Sequence, residues 1–199
     1  YADHLKKPMI LICNHVDEEK SDFDNTIEQA KERFGRKVTV VQYPYNQGVD
    51  FNAIIDVHTM VMYQFGADGG KPEKLPIPES EMAKAQQLHN ELIEAIAEND
   101  EGLMEKFFEK GTLEEDEMVK GMMLSIRHHE LFPVFVASAK HNMGSGRIMG
   151  FIDKCCPSAA HMKPEKLTNG QDLPCNTSNP TIAFVFKTVS EPHLGDMSF

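Results

Sequence analysis

No run of about 18 apolar residues occurs in this 199-residue chain, so the sequence predicts no membrane-spanning helix. The opening stretch, YADHLKKPMILIC, has no cleavage site and leads into strand-like sequence, so no secretory signal is predicted either. An initiator methionine is lacking, and the chain stops inside an apolar segment (TIAFVFKTV…DMSF), which predicts a piece of something longer. Cysteine is scarce. Cys13, Cys155, Cys156 and Cys175 show no C-x-x-C spacing and two are adjacent, which suits neither a zinc site nor a disulfide framework. Free thiols in a cytoplasmic protein are expected. Cations are scarce as well: twenty Lys and Arg face thirty-one Asp and Glu, a net charge of −11. Sequence-independent binding to DNA or RNA needs the opposite balance.

The acid is concentrated. Residues 71–120 hold fourteen Asp and Glu against six Lys. A solvated helical surface and a docking face for a protein partner both fit this.

Met9 to Cys13 (MILIC) is an unbroken apolar run after Pro8, the pattern of a strand buried on both faces of a parallel sheet. It ends in the polar cluster Asn14-His15-Val16-Asp17, at the strand end where open α/β sheets bind ligands. A helix follows, with Ser21 or Asp22 as its cap, Phe23, Ile27, Ala30 and Phe34 at helical spacing, and Gly35 at its end. Val38 to Tyr43 reads as one further strand, and Phe51 to Phe65 as a second apolar stretch. Three helices are expected next: one faced by Leu88, Leu92, Ala95 and Ile96, a short one with Leu103, Met104, Phe107 and Phe108, and a third. Thr112 and Glu115 make a capping box for the third, whose stripe is Val119, Met122, Met123 and Ile126. Phe132 to Ala137 returns to the buried strand type and ends in a second polar loop, Ser138-Ala139-Lys140-His141-Asn142. A helix bearing Ile148, Phe151 and Ile152 follows, then a proline-rich linker over 157–180 and a new strand from residue 181.

Both polar loops follow buried strands, and in a doubly wound sheet they would share one edge. A carboxylate such as Asp17 can accept from N1–H and the 2-amino group of guanine together, whereas adenine leaves it facing a lone pair. A buried group left unpartnered in this way discriminates by about 10⁴–10⁵. Asn14 would tie the loops together, and the Ala139 N–H would reach the guanine O6.

Here the sequence resembles the translational GTPases, most closely the elongation factor G type, over essentially the whole chain. MILICNHVDEEKSDFD is similar to the strand and NKxD motif of that family, and FPVFVASAKHNMG to its S-A-[KL] motif. VTVVQYPYNQGVDFNAIIDVHTMVMY and LPIPESEMAKAQQLHNELIEAIAENDEGLMEKFF resemble the insertion within its G domain; NPTIAFVFKTVSEPHLGDMSF resembles the first strands of the following β-barrel. The resemblance implies an α/β fold: the C-terminal part of a Ras-like P-loop GTPase domain with a large α+β insertion, then the start of a β-barrel domain. The implied divisions are 1–37 and 133–158 in the G domain, 38–132 in the insertion, 159–180 as linker and 181–199 in the barrel. It also implies GTP/GDP binding by Asn14, His15, Asp17, Ser138, Ala139 and Lys140, and ribosomal translocation as the role of the parent. The implied partners are the ribosomal stalk and factor-binding region, with tRNA and mRNA indirectly. A ribosome-protection factor and a paralogue that does not hydrolyse GTP stay open.

Two departures qualify this. His15 stands where the family has a lysine whose stem covers the purine, which predicts weakened or altered nucleotide binding. Neither G-x-x-x-x-G-K-[ST] nor a D-x-x-G-H switch occurs, so the phosphate loop, the Mg²⁺ ligands and the water-positioning residue are expected outside these residues. Alone, the chain is expected not to hydrolyse GTP. Other sites fare worse. Gly144-Ser145-Gly146…Gly150 misses the dinucleotide spacing, His128-His129-Glu130 suits a helix terminus, and Asp17, Asp22 and Asp24 lack the rest of a calcium loop.

Overall fold

The computed structural model describes residues 1–199, which divide into two compact units, Tyr1–Ser158 and Ala159–Phe199. No helix is long and apolar enough to cross a membrane.

The first unit is mixed α/β, with one parallel and one antiparallel sheet. Strand β1 (Leu11–Cys13) leads to α1 (Phe23–Phe34), then β2 (Val38–Val40). Asp22 caps α1 by accepting from the Asn25 N–H at 3.0 Å, and Gly35 ends it. Both β1 and β2 lie parallel to β7 (Phe132–Val136), which sits between them with all five residues buried. Phe34 of α1 meets the Phe132 ring edge-on at 5.8 Å, fixing the helix against the central strand. Strand β1 differs from expectation. Its Ile12 is 47% exposed, because β1 is the edge of the three-stranded sheet and is not covered on both faces.

The run from Val38 to Tyr43 is not one strand of one sheet. Val41 donates its N–H to Val134 of β7 and accepts from Val57, both at 3.0 Å. From there the chain leaves the parallel sheet and enters an antiparallel one as β3 (Gln42–Pro44). Strands β4 (Ala53–Asp56), β5 (Val61–Gln64) and β6 (Glu73–Leu75) complete that sheet in sequential order. Strand β2 therefore belongs with the parallel sheet.

Helices α2 (Glu79–Ala97), α3 (Glu101–Lys110) and α4 (Glu115–Arg127) follow. Leu92, Ile93 and Ile96 of α2 are fully buried, whereas Phe108 of α3 is 80% exposed. The cap of α4 is Glu114, not Thr112: the Glu114 side chain accepts from the Glu117 N–H, and the Glu117 carboxylate takes the Glu114 N–H. Burial of Leu113 moves the helix start past Thr112. The stripe shifts with it, to Met118, Gly121, Met122, Ser125 and Ile126, and leaves Val119 and Met123 half-buried. Gly121 allows the closest approach here, since a Cβ would stand 2.2 Å from Ile96 Cγ2. Helix α5 (Ser145–Cys155) buries Ile148 and Phe151 but leaves Ile152 at the surface.

The second unit holds two small hairpins, β8 (Glu165–Lys166) with β9 (Asp172–Leu173) and β10 (Thr188–Glu191) with β11 (Gly195–Ser198). Its paired strand thus begins at Thr188, seven residues later than the apolar run suggests, and the first hairpin falls within the stretch read as linker.

Candidate functional site

The carboxyl ends of β1 and β7 lie side by side, because the parallel ladder continues one step past the strands: Ala137 N–H donates to Cys13 O at 3.0 Å. Each strand then opens into its polar loop. The first loop turns at once. His15 has φ +64°, a left-handed conformation that histidine tolerates better than most residues, and its carbonyl accepts from Glu18 N–H at 3.1 Å. Val16 anchors the loop in the core, and its carbonyl takes the Ser21 hydroxyl at 3.0 Å and the Gly48 N–H at 2.8 Å. The second loop is closed by a pair of 3.0 Å bonds between the Ser138 and Met143 backbones. Ser138 is fully buried, and its hydroxyl accepts from the His141 N–H.

The structure brings all six sequence-predicted residues to one strand edge. Ala139 N–H donates to Asn14 Oδ1 at 3.0 Å, which joins the loops directly. The Asp17 side chain is only 7% exposed; its Oδ2 lies 3.6 Å from His141 Nε2, and its Oδ1 is buried with no hydrogen-bond partner. Burial raises the pKa of this carboxyl, but the Ser138 hydroxyl, the Asp17 backbone N–H, His141 and Lys140 outweigh it and hold Asp17 below the ordinary carboxylate value. Asp17 is therefore an ionised acceptor with one oxygen unspent, and an oxygen left so is costly. His141, the partner of Asp17, is a neighbour that the motifs did not single out; its place two residues after Ala139 was the only signal. His15 and Lys140 are exposed. Asn14 and His15 also border a shallow cleft of about 310 Å³ that extends to Lys20 and Phe23, and neither Asp17 nor the 138–140 loop lines it.

Burial pushes the neighbouring Cys13 thiol up to about 11 and the Cys155 thiol up to about 12, so both stay protonated at neutral pH. No group of three His, Cys, Asp or Glu is placed to hold a metal ion. His129 is buried by structural bonds to Lys7 O and Asp3 Oδ1, both 2.9 Å, and is not free to ligate.

An elongation factor G-like protein of Thermotoga maritima is 28% identical over 202 aligned residues, covering 100% of this chain. The elongation factor G of Mycoplasma genitalium is 28% identical over 205, again covering 100%. Over its whole length the chain is thus similar in sequence to an elongation factor G and to an elongation factor G-like protein. The chain spans 29% and 30% of the lengths of those two relatives. No protein-family model matches it. A crystal structure from Thermus thermophilus superposes with a TM-score of 0.79 over 99% of this chain and 27% of its own, at 24% identity, and shows the fold to be shared.

Proposed function

We propose that these residues are the base-reading part of an elongation factor G-like translation factor, a GTPase that binds GTP and GDP and promotes ribosomal translocation. The observation that carries the reading is the Asn14–Ala139 bond beside the unspent Asp17 oxygen. Two loops 125 positions apart are held where one flat heterocycle could touch both. Asp17 would accept from N1–H and the 2-amino group of guanine, and the base would displace the His141 ring. Ala139 would offer its N–H to O6, sharing it with Asn14. Lys140 and His15 would flank the base, and Ser138 would keep Asp17 ionised and oriented.

The fold supports the rest. Sheet β1-β7-β2 with α1 and α5 suits the C-terminal part of a Ras-like P-loop domain, and the antiparallel sheet with α2–α4 suits the insertion. The division of the chain at Ser158 suits a separate domain after it. Phosphate binding, Mg²⁺ coordination and water activation would fall to residues outside this chain, so the 199 residues alone should not hydrolyse GTP. Ribosomal contact would use the acidic insertion helices, with tRNA and mRNA affected indirectly, in the cytoplasm.

A non-hydrolysing paralogue is the second reading. It is favoured by His15, which is exposed, left-handed and placed where the family motif has lysine. Single-turnover GTP cleavage by the intact parent with ribosomes separates the two. Cleavage that Asp17→Ala abolishes supports the GTPase; ribosome binding without cleavage, with guanine-nucleotide binding strengthened by His15→Lys, supports the paralogue. A parent that binds no guanine nucleotide overturns the GTPase reading.

A further inference from the structure

The second polar loop is braced by the antiparallel sheet as well as by Asn14 of the first loop. Between β5 and β6 the chain turns at residues 66–70, and Gly70 donates its N–H to the Asn142 carbonyl at 3.0 Å. Gly69, at φ +65°, lies so close that a Cβ there would stand 1.8 Å from the His141 carbonyl oxygen and 3.1 Å from that of Asn142. Only glycine meets both conditions, a left-handed backbone and no side chain. Further along the loop, a Cβ on Gly144 would stand 3.1 Å from Ile54 Cδ1, a side chain of β4. In the first turn of α5, Arg147 reaches back to the same sheet. Its Nη2 is 3.3 Å from Asp56 Oδ2, and its guanidinium lies 4.3 Å from the centre of the Tyr63 ring. Within the loop, Asn142 N–H donates to the Ala139 carbonyl at 3.3 Å and the Ser138–Met143 bridge closes the ring.

We infer that the 66–70 turn is a positioning element of the guanine site: Gly69 and Gly70 hold the backbone at 141–142 and so set the aim of the Ala139 N–H. The inference rests on the proposed reading of Asp17 and Ala139, and it adds that a change made in the insertion alters nucleotide affinity. Coupling between two such places is usually about 5- to 150-fold, or about 1–3 kcal/mol.

Gly69→Ala in the intact parent tests it. Without nucleotide, exchange of the Ala139 amide should accelerate about tenfold; an unchanged rate overturns the inference. Binding is then compared for GDP and inosine diphosphate, which both carry O6 while only GDP carries the 2-amino group. Both affinities should fall about tenfold with their ratio preserved. A fall confined to GDP would place the effect at Asp17 and overturn the inference. Should the variant not fold, amide exchange of the wild type with GDP decides: Gly70 and Ala139 should slow together, and an indifferent Gly70 beside a slowed Ala139 is contrary. If the wild type binds neither nucleotide, the site reading itself fails, which is distinct from a wild type that binds and a variant that binds equally.

Discussion

Asn14 accepts the backbone N–H of Ala139 at 3.0 Å, and this bond spans 125 positions of the chain. It forms because β1 and β7 are neighbours in register, Cys13 facing Val136, so that the residues just beyond them must meet. The acidic and basic groups of both loops are thereby collected at one edge, around a carboxylate with a spare oxygen.

Asn14→Ala removes that tie. A hydrogen bond of this kind contributes about 0.5–1.5 kcal/mol, so the urea midpoint should drop slightly. The Ala139 amide should exchange several-fold faster, and guanine-nucleotide affinity should fall by more than the stability loss accounts for. Equal exchange at Ala139 in variant and wild type would mean that the loop is held without Asn14.

Asp17 gives the fold an acid-sensitive contribution. Its pKa is held below the ordinary carboxylate value in the folded chain, so its stabilisation is complete above about pH 4 and is lost as pH falls through the lower, folded value. Denaturant midpoints taken from about pH 6 downward should therefore fall more steeply in the wild type than in Asp17→Asn, with the difference confined to the region below about pH 4. Parallel curves would contradict this.

Asp56 is the most heavily bonded buried acid. It accepts from Gln42 Nε2 at 2.8 Å, from the Thr59 N–H and hydroxyl at 3.0 Å each, and from Arg147 at 3.3 Å, with its side chain 2% exposed. Asp56→Ala strands these donors, and leaving a buried donor such as Gln42 Nε2 unsatisfied costs about 1–3 kcal/mol. The variant should unfold at a much lower urea concentration, whereas Asp56→Asn should retain part of the loss. A shift under about 1 kcal/mol in Asp56→Ala would show that water replaces the carboxylate.

Gly121→Ala sets two effects against each other. Alanine gains about 1 kcal/mol in helix propensity, but its Cβ would stand 2.2 Å from Ile96 Cγ2 and 2.8 Å from Leu103 Cδ1. Overpacking of that kind costs about 1–3 kcal/mol. A net loss is expected in thermal or chemical unfolding, and a stabilised variant would mean that α2 and α3 yield easily.

Local patterning carried much of this fold. The apolar runs at β1 and β7 and the periodicity of α1, α2 and α5 are legible because each element's own residues dictate it. Non-local facts were not. That Val41 divides one extended run between two sheets depends on Val134 and Val57, which sequence spacing does not pair. Thr112 lost the cap of α4 to Glu114 because Leu113 had to be buried, a tertiary demand that the capping pattern does not register. At the candidate site, Asn14, Asp17 and Ser138–Lys140 were legible as motif residues. The brace at Gly69 and Gly70 was not, since two glycines in a turn look alike whether they face solvent or another backbone.

Competition between nucleotides tests the central claim most directly. Equilibrium titration of the intact parent with GDP and ADP under identical salt and Mg²⁺ should show GDP preferred by about 10³-fold or more, within the discrimination that an unpartnered buried carboxylate can impose. Asp17→Ala should erase most of that preference. Equal binding of the two nucleotides, or a preference for ADP, would contradict the account.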